Sequence, residues 1–225
     1  SNAGAATLPG KIKFKDLDGD GQITENDRTV IGNTTPKFQG GFGLSGQWKN
    51  FDFTANFNYM VDFDVYNATN YMLSSSISNT NNFYNVLADF TQKNRWTYVR
   101  ADGECLYKNT NIDGSVNEYI TMNAGKSLWN PADVEDKVTH SYFVEDGSFL
   151  RLQDVTIGYT LPSNLTKKWG MSKVRFYASA SNLFILTGYS GYDPEVDVQS
   201  GLTPSMDYNR YPRSRSFVFG TNITF

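Results

Sequence analysis

Five segments of this chain alternate apolar and polar residues with a period of two, and this pattern limits the fold more than any other feature. In the second segment, apolar side chains at the odd positions from Phe51 to Phe63 alternate with mostly polar ones such as Asp52. Successive side chains of a strand point to opposite faces, so each segment predicts a β-strand with one apolar face. The predicted strands cover residues 38–48, 51–63, 149–161, 174–184 and 216–225.

The third predicted strand changes phase near its start. The run from Phe149 to Asp154 does not keep the alternation that Val155, Ile157 and Tyr159 follow. One extra residue in a strand shifts the side chains that follow it to the opposite face. The sequence therefore predicts a β-bulge near Gln153.

The composition favours an all-β fold with antiparallel strands. Aromatic residues make up 15% of the chain, yet its mean hydropathy is only -0.47. Many aromatic residues in a polar background suit half-buried strands better than a helical bundle. The exception is a predicted short helix over residues 83–96, where apolar residues from Phe83 to Phe90 have helical spacing after a possible N-cap, Asn82.

The connections between the predicted strands alternate between short and long. A tight turn at Lys49–Asn50 and a short link around Pro162 contrast with long loops over residues 64–146 and 187–213. Short turns at one end and long loops at the other are typical of a transmembrane β-barrel. A soluble β-sandwich has the same side-chain alternation, so the pattern alone leaves both folds open.

An acidic stretch before the first predicted strand has the spacing of a calcium-binding loop. With Asp16 as position 1, Gly21 falls at position 6, where such a loop turns sharply, and Asp27 falls at position 12. The candidate oxygen ligands are Asp16, Asp18, Asp20, Gln22 through its backbone carbonyl, and Asp27. We expect the ion to be structural and to hold the segment that enters the first strand. The alternative is a solvated acidic turn without a metal.

Other features exclude several functions. The net charge of -3 without a dominant basic patch argues against nucleic-acid binding. One histidine, His140, and one cysteine, Cys105, make a His-based metal centre, a Ser/His/Asp triad or an internal disulfide a poor explanation. Nothing places two carboxylates across a cleft, so we read Glu145, Asp193 and their neighbours as solvated loop charges. The chain is therefore predicted not to be an enzyme.

Aromatic residues in the long loops are candidates for contact with a ligand or a partner protein. They are Trp96, Trp129, Tyr189 and Tyr192. Aromatic rings stack on sugars and are enriched at protein interfaces. The alternative is that these residues form a small core under each loop.

Four stretches in the same order resemble SusC/RagA-type TonB-dependent outer-membrane transporters of Bacteroidetes. They include KDLDGDGQITENDRTVIGNTTPKFQGGFGLSGQWKNFDFTANF, which runs through the first predicted strand into the second, and FVEDGSFLRLQDVTIGYTLP across the third. The stretches VRFYASASNLFILTGYSGYDPEV and YPRSRSFVFGTNITF complete the set, and the last ends on Phe225, as is typical of outer-membrane barrels. The resemblance implies that residues 4–225 form a C-terminal segment of a barrel. Ser1–Ala3 is typical of what remains after a purification tag is removed.

The resemblance also implies a function. Such transporters lie in the outer membrane of Gram-negative bacteria, in contact with its lipid, and import oligosaccharides or peptides. They pair with a SusD-like surface lipoprotein and draw energy from TonB through an N-terminal part that this chain lacks. The alternative function is that of a soluble, calcium-stabilised β-sandwich that binds glycans. In an isolated segment, we expect the apolar faces around Phe53 and Phe219 either to curl inward or to pair with a second copy.

Overall fold

The computed structural model describes residues 12–75, 77–79, 82–83, 85–91, 93–99, 105–106, 125–131, 138–196 and 204–225. The chain divides into two compact units. Residues up to Ile31 and Ala68–Phe143 form one, which we call the loop unit, and Gly32–Asn67 with Val144–Phe225 form the other, the sheet unit.

The described residues form two short α-helices and twelve strands, several of them very short. The helices are α1 (Ala68–Leu73) and α2 (Ser163–Thr166). The strands are β1 (Phe38–Trp48), β2 (Phe51–Val61), β3 (Asp64–Asn67), β4 (Ile77–Asn79), β5 (Asn82–Phe83), β6 (Tyr98–Val99), β7 (Cys105–Leu106), β8 (Val144–Asp146), β9 (Phe149–Thr160), β10 (Lys173–Thr187), β11 (Met206–Asp207) and β12 (Ser216–Thr224). Short 3-10 turns cover Glu25–Asp27, Ser141–Phe143 and Lys167–Trp169.

The sheet unit is built on a five-stranded sheet in the order β1-β2-β9-β10-β12. Each neighbouring pair is antiparallel, which confirms the predicted fold class. The strands begin and end within three residues of the predicted bounds. They form here because each supplies one continuous row of apolar side chains to the same face.

The predicted bulge is present. Leu152 pairs with Phe57 of β2 and Asp154 pairs with Asn56, so Gln153 lies between two successive pairs. Strand β10 shifts at the same level, between Ser181 and Phe184. This extra residue explains the change of phase in the sequence, because it returns the later apolar residues of β9 to the face they share with β2.

The register places apolar residues of all five strands in rows across one face. Leu44, Ala55, Val155, Ala180 and Phe217 form one such row. Large side chains on this face, which we call the apolar face, are exposed, among them Phe53 at 45% and Phe219 at 79%. The expected inward curl is therefore wrong for this structure, because twisted antiparallel pairing holds these side chains on the outer surface of one sheet.

The opposite face, which we call the polar face, carries hydrogen-bonded side chains. Arg175 donates from Nε and Nη2 to the two carboxylate oxygens of Asp52 at 2.9 and 2.5 Å. The guanidinium reaches Asp52 by crossing β9 at Gly158, where any side chain would collide with it. Further along this face, Ser181 donates to Asp154 at 2.8 Å.

A smaller three-stranded sheet, in the order β11-β3-β8, continues from one end of the large sheet. The core of the unit consists of Phe63, Val65, Phe149 and Tyr189, and Val65 belongs to this small sheet. The two turns of the large sheet, at 49–50 and 161–172, lie together at its other end. There Thr160 donates its N–H to Asn50 at 2.8 Å, and Ser172 donates to Thr224 at 2.8 Å.

The loop unit contains one of the two α-helices, but not where the sequence predicts it. The described part of 83–96 holds β5, which pairs with β4, and turns after Asn85. Tyr84 and Gln92 lie outside the described residues. The helix is α1 instead. The apolar spacing serves tertiary contacts, because Phe90 is buried against Trp129 with ring centroids 5.1 Å apart.

None of the helices among the described residues has the length and apolar content needed to cross a membrane.

Candidate functional site

The acidic stretch folds into a compact loop that gathers three carboxylates. One oxygen from each of Asp16, Asp18 and Asp27 lies within 4.8 Å of the others. Two oxygens that bind one calcium ion at ~2.4 Å can lie at most ~4.8 Å apart. The spacing of these three carboxylates therefore suits a single shared cation.

Backbone groups hold these carboxylates in place. Asp16 accepts N–H bonds from Gly19 at 2.6 Å and from Gly21 at 2.9 Å. Both glycines have positive φ, +78° and +79°, which folds the chain back over the Asp16 side chain. Each carboxylate oxygen has two lone pairs, so these hydrogen bonds leave room for a cation.

Asp27 closes the loop. Its two oxygens accept N–H bonds from Leu17 and Thr24, each at 2.7 Å. Thr24 in turn caps the 3-10 turn Glu25–Asp27 in a capping box. The backbone N–H of Thr24, followed by that of Leu17, lowers the pKa of Asp27, so this carboxylate stays charged in more acidic solution than an ordinary one.

The structure does not bring all predicted ligands together. The Asp20 carboxylate is not a member of the cluster and instead accepts the Gln22 N–H at 2.7 Å. Calcium binding by Asp16, Asp18, Asp20, Gln22 and Asp27 therefore remains a prediction, and Asp20 would have to turn to join the cluster.

A cavity of about 520 Å³ lies within the loop unit, and we call it the aromatic pocket. Its wall includes Lys13 to Lys15, Trp96, Trp129 and His140–Tyr142. The segment before Trp96 pairs with the segment before Trp129, since Trp96 donates its N–H to Leu128 at 2.8 Å. This pairing explains how two tryptophans that are distant in sequence line one cavity.

Trp129 combines features of both predicted alternatives, a core residue under the loop and a ligand contact. Its ring is buried and packs edge-on against Phe90, Tyr142 and Phe143 at centroid distances of 5.1, 5.1 and 5.9 Å. It is thus part of a small aromatic core, and it also borders the pocket. Trp96 is half-buried beside it.

The two tyrosines predicted as contacts differ sharply. Tyr189 is 6% exposed, and its hydroxyl donates to the carboxylate of Asp207 at 2.7 Å. The structure therefore corrects its predicted role from ligand contact to core residue, because neither its ring nor its hydroxyl is accessible. Burial first, and then the bond to Asp207, raise the pKa of Tyr189. Tyr192 is 79% exposed, so its contact with a ligand or a partner protein stays a prediction.

The sheet unit contains a buried charge network that the sequence analysis did not predict. Arg151 and Asp193 are both buried and form an ion pair at 2.6 Å. Glu195 lies 3.4 Å from Arg151 and accepts from Arg213 at 2.6 Å. Reading Asp193 as a solvated loop charge was wrong. The one signal in the sequence was Arg151, because a charged residue near the start of a predicted strand needs a partner if it is buried.

Comparison with known proteins finds relatives that are much longer than this chain. No protein-family model matches the chain. The TonB-dependent receptor P3 of Formosa agariphila is 34% identical over 233 residues, which cover 99% of this chain and 20% of that receptor. The TonB-dependent receptor SusC of Bacteroides thetaiotaomicron is 28% identical over 214 residues, covering 94% of this chain and 17% of SusC. The chain is homologous to a C-terminal portion of TonB-dependent receptors, SusC among them.

The fold agrees with this assignment. The chain superimposes on a solved structure of the RagAB peptide transporter with a TM-score of 0.64 at 24% identity, covering 93% of this chain and 20% of that one. The five-stranded sheet corresponds to strands from the C-terminal part of the receptor barrel, as predicted. The chain spans about a fifth of the length of the curated receptors it matches. These relatives are receptors rather than enzymes.

Proposed function

We propose that this chain forms part of the wall and outer loops of a transporter in the outer membrane of a Gram-negative bacterium. The transporter imports an oligosaccharide or a peptide together with a SusD-like surface lipoprotein. TonB supplies the energy through receptor segments that lie outside this sequence. The observation that carries the proposal is the exposed apolar face of the five-stranded sheet.

The apolar face has the character of a surface in contact with lipid. One row of side chains crosses all five strands, from Leu44 in β1 to Phe217 in β12. Leu44 and Phe217 at its two ends are more than half exposed. A soluble β-sandwich buries such a face against a second sheet. Exposure of large apolar side chains on all five strands of this face therefore favours contact with hydrocarbon over the soluble glycan-binding alternative.

The polar face has the character of a barrel lumen. Side chains on this face form ion pairs and hydrogen bonds, as Arg175 and Asp52 do across Gly158. Transmembrane barrels alternate lipid-facing apolar residues with lumen-facing polar ones. The short turns at 49–50 and 161–172 would then face the periplasm, and the core around Tyr189 would lie on the outer side.

Paired lysine substitutions at the centre of β1 test this orientation in the full receptor. Leu44 lies on the apolar face and Ser45 on the polar face, and both are exposed. A lysine facing the middle of the bilayer costs ~2–4 kcal/mol, whereas one facing the lumen costs little. Leu44→Lys should therefore reduce the amount of folded, heat-modifiable receptor in the outer membrane, and Ser45→Lys should not. Equal tolerance of the two variants, or the reverse order, contradicts the proposed wall.

The partner and the cargo need a separate experiment. An affinity tag on the receptor, followed by mild solubilisation of outer membranes, should recover a surface lipoprotein in near-equal amount. Deletion of the receptor gene should abolish growth on one class of glycan or peptide as sole carbon source, and the Leu44→Lys variant should fail to restore it. Recovery of the receptor without a lipoprotein would oppose the proposed partnership.

We also propose that the loop from Asp16 to Asp27 binds Ca²⁺ as a structural ion. The convergence of three carboxylates supports this, together with the two glycines that shape the turn. Hard divalent cations prefer oxygen ligands of this type. The ion would hold the chain where Ile12–Lys15 enters the wall of the aromatic pocket.

A further inference from the structure

We propose that the aromatic pocket binds an acidic sugar residue, through a ring hydroxyl held by Trp129 and His140 and a negative charge attracted by Lys13 and Lys15. This inference rests on the proposed import function, because it names the class of cargo that the loop unit would contact. Two hydrogen-bonding groups, one exposed aromatic ring and the charge of the wall support it.

Two buried polar atoms at the pocket have no hydrogen-bond partner in the part of the chain that the structure describes. They are Nε1 of Trp129 and Nε2 of His140. Trp129 is 8% exposed and His140 is 9% exposed, and both residues line the pocket. Their rings lie against each other with centroids 5.7 Å apart. Buried polar groups in native proteins are nearly always satisfied, so we expect a molecule in the pocket, either water or a ligand, to partner these two.

The chemistry of these two atoms selects a hydroxyl group. The indole N–H of Trp129 only donates, so it needs an acceptor. Burial lowers the pKa of His140, so its ring is neutral near pH 7, and Nε2 is then either an acceptor or a donor. A hydroxyl both accepts and donates, and it therefore satisfies Trp129 together with either tautomer of His140. A carboxylate offers only acceptors.

Water would satisfy the same two groups in the free protein, since this part of the wall is polar. A ligand group that displaces an ordered water keeps its binding affinity only when it reproduces the hydrogen bonds of that water. A sugar hydroxyl does so more closely than an amide or an aliphatic group. This comparison favours a glycan over a peptide as the occupant.

The size and shape of the pocket agree with a sugar ring. Its volume of about 520 Å³ falls within the roughly 300–1,000 Å³ of typical ligand sites. Trp129 is buried in the aromatic core, but Tyr142 beside it is 57% exposed. Tyr142 therefore offers a free aromatic surface on which the apolar side of a sugar ring can stack.

The charge of the wall favours a negatively charged ligand. Among the described residues that line the pocket there are three lysines and no carboxylate. Lys13 and Lys15 are exposed and pair with no described acidic residue, whereas Lys126 donates to the backbone carbonyl of Lys93. In a chain with net charge -3, an unpaired positive rim attracts a carboxylate or sulfate group on the sugar.

The test is calorimetric binding to the full receptor in a detergent that contains no sugar headgroup. The probes are a galacturonic acid trisaccharide, the neutral galactose trisaccharide and the peptide Glu-Tyr-Glu. We expect the acidic trisaccharide to bind at least about tenfold more tightly than the neutral one, and the difference to shrink with added salt. The peptide should bind more weakly than either.

Two pairs of variants locate the site. Trp129→Phe removes the indole N–H and should weaken binding of the acidic trisaccharide about threefold to tenfold. The matched control, Trp169→Phe, alters an exposed tryptophan outside the pocket and should have no effect. Replacing Lys13 and Lys15 together by glutamine tests the charge without touching the aromatic core, and Lys168→Gln is its control.

Each outcome decides the proposal. Absence of binding by the unaltered receptor overturns it, as does equal binding of the neutral trisaccharide or tighter binding of the peptide. Unchanged affinity in both Trp129→Phe and the double lysine variant would also overturn it. None of these outcomes affects the wall proposal, because membrane insertion of Leu44→Lys and Ser45→Lys is measured without a ligand.

Discussion

The hydroxyl of Tyr189 should anchor the loop after β10, and removing it gives a sharp test of how that loop is held. Tyr189 and Asp207 are 6% and 5% exposed, and their hydrogen bond is 2.7 Å long. Asp207 lies in β11, which pairs with β3. Tyr189→Phe keeps the ring in the core and deletes only this bond.

The expected cost follows from the burial and the charge. A hydrogen bond to a charged group contributes ~1.5–3 kcal/mol, and here its loss also leaves a buried carboxylate oxygen with one partner fewer. Since 1.4 kcal/mol corresponds to a factor of ten, opening of β11 from β3 should become about tenfold to a hundredfold more frequent. Hydrogen exchange of amides in this small sheet, such as Tyr66, which donates to Ser205 at 2.9 Å, should accelerate by that factor.

Tyr192→Phe is the matched control, because it makes the same chemical change three residues away on a side chain that is 79% exposed. It should leave the exchange rates unchanged. The raised pKa of Tyr189 adds a second readout. In the unfolded chain this tyrosine loses its proton near pH 10, whereas in the folded protein the raised pKa keeps it protonated to higher pH. The contribution of Tyr189 to stability is therefore present below pH ~10 and falls above it. Equal exchange in both variants would show that the hydroxyl is not an anchor.

Two further predictions concern the loop unit. Added Ca²⁺ should raise the unfolding temperature of the receptor, and Asp18→Asn should reduce this shift. The control Glu25→Gln, in the adjacent turn, should leave the shift unchanged. Absence of a calcium-dependent shift in the unaltered receptor would refute the ion site. Because burial depresses the pKa of His140, its neutral ring stabilises the loop unit above pH ~6.5 and this contribution is lost at lower pH. Acidification to pH 5.5 should therefore accelerate proteolysis of the loop unit more in the unaltered receptor than in His140→Phe, and equal acceleration would contradict the burial argument.

The strands were predictable because their cause is local. A strand in a sheet with one apolar face must repeat with period two, and only a bulge can break that phase, so Gln153 could be located from the sequence. The glycines and aspartates of the acidic loop were predictable for a similar reason, since Gly21 and Asp16 are five residues apart and act on each other directly.

The predicted helix at 83–96 shows where local reasoning fails. Helical spacing of a few apolar residues is a weak signal when the segment is short. Phe90 satisfies its burial by packing on Trp129, and Leu87 donates its N–H to Leu73, so contacts with distant segments fixed this part of the chain. The separate roles of Tyr189 and Tyr192 were likewise invisible in the sequence, in which the two residues stand almost side by side.

The sequence by itself determined the strands, their two faces and the acidic loop, because each depends on residues that are neighbours along the chain. Only the tertiary structure decided that Trp129 and His140 share a pocket and that Arg151 meets Asp193 forty-two residues later. Those pairings depend on which distant segments the fold brings together, and no periodicity in the sequence encodes the distance between them.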